Sequence, residues 1–68
     1  MFKIYCTYSH RNSLDVNILV LKKYKIYDGR YKLTVAWIYK NGKPLGITEK
    51  IIITKDQVKN WNEVCLNS

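Results

Sequence analysis

Lysine is the residue with which this chain can do most. Ten lysines and two arginines stand against five acidic residues, a net charge of +7 with a pI near 9.6. Lys25, Lys32 and Lys50 belong to three consecutive predicted strands, and the turns favoured at Asp28-Gly29 and Asn41-Gly42 place them in one row across a sheet. Like charges directly opposite each other cost a sheet about 0.2–1 kcal/mol per pair. Such a row therefore points to an anionic partner. Lys23, Tyr27 and Arg30 extend the same basic end, and Tyr5 and Tyr27 offer surfaces on which bases stack. A merely solvated face, with tyrosine serving its strand preference, explains the same residues equally well. Lysine is a flexible point charge where arginine gives bidentate recognition, so contact with nucleic acid would fall mainly on phosphates. The sequence holds no RNP-type aromatic motif, GxxG clamp or zinc-finger spacing.

Other chemistry finds little support. His10 is the single histidine and sits in a polar SHRNS loop. A Cys6–His10 nucleophile–base pair fails on distance, because an extended strand separates them by about 13 Å at 3.3 Å per residue. Asp15, Asp28, Glu49, Asp56 and Glu63 are scattered, and two have local roles: Asp28 in a turn and Asp56 at a helix start. No paired carboxylates, Cys/His metal spacing or glycine-rich phosphate loop is present, so we expect no enzyme, metal or cofactor. Cys6 and Cys65, near opposite ends, read as buried thiols rather than a disulfide unless the fold joins those ends.

The elements that must position these residues read as strands followed by a helix. Sixty-eight residues make one domain, and 47% hydrophobic content, with six tyrosines and two tryptophans, is enough for a dense core. A chain of this size buries only about 60% of the surface its unfolded form exposes. Phe2–Tyr8 alternates as a strand, Ser9–Asp15 is turn-like, and Val16–Tyr27, Tyr31–Tyr39 and Leu45–Ile53 favour strands. Asp28-Gly29 and Asn41-Gly42 separate the last three, the strongest short hairpin signals available. Thr54–Gln57 fits a capping box, and Val58, Trp61 and Cys65 fall at helical spacing, predicting a helix over Lys55–Leu66.

Turn type sets register. A two-residue turn at Asp28-Gly29 pairs Tyr27 with Arg30, and a three-residue loop Lys40–Gly42 pairs Tyr39 with Lys43. The inner face then carries the rows Val20/Trp37/Leu45, Lys22/Val35/Ile47, Tyr24/Leu33/Glu49 and Ile26/Tyr31/Ile51. Trp37 and Trp61 read as the sheet and helix halves of the core. The outer face divides into the basic end and an apolar end of Leu19, Leu21, Ala36, Ile38 and Pro44. Leu19, Leu21 and Ile38 have no evident cover and suggest a protein interface. Curling into an SH3-like barrel would cover both faces, as would a homodimer through the apolar half.

The expected fold class is thus α+β: a small four-stranded antiparallel sheet with one C-terminal helix, in the order β-β-β-β-α. This layout is similar in outline to archaeal chromatin proteins of the SH3-like barrel type. The similarity is one of architecture and charge and rests on no shared motif. The functional expectation is a non-enzymatic binding module for nucleic acid. Its alternative is a small virus-, phage- or mobile-element-encoded inhibitor that docks into an acidic groove of a host protein. An AT-rich style of residue use (Lys, Ile, Asn, Tyr) favours the latter origin. No apolar run approaches a membrane span and no secretory signal precedes the first strand, so the expected location is cytoplasmic.

Overall fold

The computed structural model describes residues 2–26 and 28–64. Five antiparallel strands form one sheet: β1 (Thr7–His10), β2 (Val16–Lys25), β3 (Tyr31–Tyr39), β4 (Pro44–Ile53) and β5 (Trp61–Val64), in spatial order β4-β3-β2-β1-β5. This corrects the four-strand-plus-helix expectation. Among the described residues only Lys55–Asn60 is helical, as a short 3₁₀ helix, and Cys65 and Leu66 at the end of the expected helix lie outside them. The capping signal was real: the Thr54 amide donates to Gln57 Oε1 at 3.2 Å. Yet the Gln57 amide bonds the Thr54 carbonyl at 2.9 Å, the tight three-residue step of a 3₁₀ turn. The chain then extends, and Trp61–Val64 pairs with β1, His10 opposite Trp61 and Thr7 opposite Val64. Pairing satisfies an otherwise open edge of β1, a gain that overrides the weak helical periodicity.

The first strand is shorter than its alternation suggests. Lys3–Cys6 is a turn closed by the Cys6 amide on the Lys3 carbonyl (3.2 Å), with Tyr5 in the left-handed region at φ 65°. The turn throws Ile4 and Tyr5 into solvent, Tyr5 at 75% exposure, and folds Phe2 back over the sheet. Phe2 meets the Tyr8 ring edge-on at 4.9 Å and the Tyr31 ring at 5.9 Å. The Tyr8 hydroxyl accepts the Lys3 amide hydrogen at 2.6 Å and donates to Glu63 at 3.4 Å. Phe2, Tyr8, Ile18, Val20, Leu33, Val35 and Ile53 form the buried core. Cys6, Tyr31, Trp37, Ile51, Val58 and Trp61 pack around it, half-buried.

Two irregularities set the final register. At the β3–β4 end the expected three-residue loop forms: Gly42 takes φ 93° and the Tyr39 amide bonds the Lys43 carbonyl at 2.8 Å. Beyond it, three β4 residues, Leu45 to Ile47, oppose Trp37 alone, with Gly46 at φ 83°. At the other hairpin the Ile26 amide bonds the Arg30 carbonyl at 3.1 Å, and Gly29 takes φ 79°. That loop is one residue longer than a two-residue turn. A bulge at Leu21 then shifts β2 by one more residue between Val20/Val35 and Lys22/Thr34. An unbroken strand would carry Lys22 on the core face with Val20, and the bulge turns it outward.

Candidate functional site

The shifted register dissolves the lysine row. Lys32 stands opposite Tyr24 on β2 and Ile52 on β4. Lys50 stands opposite Thr34, whose other neighbour is Lys22. Lys25 pairs with Tyr31 and Lys23 with Leu33, in the alternate rows. No two lysines are directly opposed in these pairings, so relief of like-charge repulsion no longer argues for an anion.

What the sheet assembles instead is a compact cluster. Lys22, Thr34 and Lys50 form one row, and Tyr24, Lys32 and Ile52 the next row on the same face. At a strand spacing near 4.8 Å, Lys22 and Lys50 attach about 10 Å apart with Lys32 diagonal to both. Lys22, Lys50, Tyr24 (46% exposed) and Ile52 lie open to solvent, and Lys32 is half-buried. Among the described residues none of these lysines is ion-paired: the bridges join Lys3 to Glu63 (3.8 Å) and Arg30 to Asp28 (2.7 Å). Two residues of this cluster, Lys22 and Tyr24, were assigned to the inner face from sequence. The abrupt change from the apolar run Ile18–Leu21 to Lys22 was the available signal for a bulge.

The remaining candidates scatter. Arg30 is engaged, its Nε donating to Asp28 at 2.9 Å. That hydrogen bond holds the Asp28 carboxyl below the usual carboxylate range. Tyr27 lies outside the described residues, as does Cys65, while Cys6 is a free, half-buried thiol. Of the apolar trio, Ile38 is only 7% exposed within the single chain, leaving Leu19 and Leu21 half-buried. Among the described residues no cluster of His, Cys, Asp or Glu could hold a metal, and no helix is long and apolar enough to cross a membrane.

A groove of about 230 Å³ lies where the curled sheet brings β4 towards the 3₁₀ helix and β5. It is lined by His10, Trp37, Ile51, Ile52, Ile53, Gln57, Asn60 and Trp61. The Trp37 indole N–H donates to Glu49 at 2.7 Å, which fixes the ring. Trp61 meets His10 edge-on, centroids 4.7 Å apart, and His10 Nδ1 accepts the Asn12 amide hydrogen at 3.1 Å. Sequence reasoning missed this site because it placed Trp61 on a helix.

Fold and surfaces together define a small antiparallel β domain with a lysine cluster and an aromatic groove. The chain matches no family model, no curated protein and no solved structure.

Proposed function

We propose that this protein is a non-enzymatic nucleic-acid-binding module that holds phosphates on the face of Lys22, Lys32 and Lys50. One observation carries the reading: three lysines without ion-pair partners among the described residues share a face with an exposed tyrosine, in a chain of net charge +7. Lysine on a flexible stem suits sequence-independent contact with a charged backbone. The Thr34 hydroxyl between Lys22 and Lys50 adds a neutral donor of the kind that phosphate oxygens accept.

Binding to labelled DNA and RNA across a salt series tests this, beside a Lys22→Gln/Lys32→Gln/Lys50→Gln variant. Each phosphate neutralised contributes about 0.7 (single strand) to 0.9 (duplex) to the slope of log K against log salt. The variant should therefore bind more weakly, with a slope flatter by about 2–3. Undiminished binding and an unchanged slope would remove the cluster from the interface. No affinity for any nucleic acid at low salt would end the reading and direct the search to an acidic protein surface.

A further inference from the structure

We infer that the groove between the two tryptophans seats one unstacked base, so that the protein takes single-stranded nucleic acid in preference to duplex. The inference rests on the phosphate-binding reading and specifies its substrate.

Trp37 and Trp61 come from β3 and β5, yet both turn half-exposed surface into one groove. Small domains ordinarily use such large side chains to complete a core. Here the rings are also held in place before any ligand arrives: Trp37 by Glu49, and Trp61 by the His10 ring, itself tethered to the Asn12 amide. Preset aromatic surfaces in a groove also lined by Ile51 and Ile53 are what a nucleobase needs to stack.

Size and polarity narrow the occupant. About 230 Å³ is below the roughly 300–1,000 Å³ of drug-sized ligand sites, and suits a single ring system. Gln57 and Asn60 are among the lining residues and carry side-chain amides, groups that pair with the polar edges of bases. Gln57 Oε1 is engaged by Thr54, so its NH₂ is the group offered.

Charge favours a base that arrives with its phosphate. Arg11 and Lys59, next in sequence to the lining residues His10 and Asn60, offset Asp56 beside Gln57 and Glu49 bonded to Trp37, so the surplus of positive charge comes from the lysine cluster. The groove also meets the lysine cluster through Ile52, which lines the one and stands opposite Lys32 in the other. One strand can thus reach both sites around β4. A base within a duplex is stacked and paired, and cannot enter without being extruded.

Because the chain has only these two tryptophans, intrinsic fluorescence reports the groove directly. The experiment titrates a short oligothymidylate, a duplex of equal length, inorganic polyphosphate and a proline-rich acidic peptide into the wild-type protein. His10→Ala and Trp61→Phe variants, each checked for folding by thermal unfolding, accompany it. The oligothymidylate should quench the tryptophans and bind about tenfold more tightly than duplex, with that preference reduced in both variants. Polyphosphate should compete without quenching. Equal binding of single strand and duplex with no quenching would overturn the groove inference and leave the lysine reading standing. Failure of every polyanion to bind would overturn both. Quenching by the peptide but not by the oligothymidylate would assign the groove to a protein ligand and overturn the inference.

Discussion

Replacing Tyr8 by Phe isolates the clamp that joins the two ends of the sheet. Tyr8 is fully buried, its hydroxyl accepts the Lys3 amide hydrogen at 2.6 Å, and it donates to Glu63 at 3.4 Å. Phenylalanine keeps the ring and its edge-on contact with Phe2, so the hydroxyl alone is removed. A hydrogen bond of the first kind contributes about 0.5–1.5 kcal/mol net. The bond to Glu63 is long, and both Lys3 and Glu63 are exposed and can turn to water, so it adds little. The expected loss is about 1–1.5 kcal/mol. At 0.05–0.15 kcal/mol per residue the whole domain is worth about 3–10 kcal/mol, so the loss is substantial. Tm should fall by about 5–10 °C, since each kcal/mol moves a domain of this size by about 4–8 °C. Thermal unfolding followed by circular dichroism measures it, with Tyr31→Phe as a control that keeps the other ring against Phe2. If Tyr8→Phe melts with the wild type, or no lower than Tyr31→Phe, the clamp carries none of the stability assigned to it.

The same residue gives stability a pH dependence. Burial raises the Tyr8 hydroxyl pKa above the ordinary 10.0, so the folded state keeps its proton where the unfolded state loses it. This contribution is complete below about pH 10 and is lost as pH rises through the folded value, and Tyr8→Phe should lack that alkaline loss in denaturant titrations. Gly46→Ala should destabilise by about 1 kcal/mol through backbone strain alone, read as a lower denaturant midpoint, because φ is 83° and an added Cβ meets nothing within 4 Å. Asp28→Asn should leave Tm essentially unchanged, since the Asp28–Arg30 pair is solvent-exposed.

The sequence carried the strands but not their offsets. Alternation located β2, β3 and β4, and it put Tyr31, Leu33, Val35 and Trp37 on the inner face of β3, where Leu33 and Val35 are buried. Asn41-Gly42 also announced its loop, because the positive φ of Gly42 is a local demand. The bulge at Leu21 and the three-against-one step at Leu45–Ile47 answer to the whole sheet, and no short window reveals them. They decided the site. One residue of shift set Tyr24 in place of Lys25 opposite Lys32, and two residues on the β4 side set Ile52 there in place of Lys50, which broke the predicted row while Lys32 and Lys50 kept their common face. The expected helix from Lys55 fails for a similar reason: its start signal is local, but its end is set by β1, more than forty residues earlier in the chain.

The partnership of β1 with β5 also sets a timetable. Tyr8 and Glu63 are 55 residues apart, whereas β2, β3 and β4 form a meander of near neighbours. At about 5–20 residues per second a ribosome needs roughly 3–11 s to make the intervening chain. During that interval β1 has β2 on one side and an open edge on the other. A nascent chain stalled anywhere before Trp61 thus presents an adhesive strand that the finished protein conceals, and Arg11 and the polar Ser9–Ser13 segment are the nearest groups to discourage unwanted pairing.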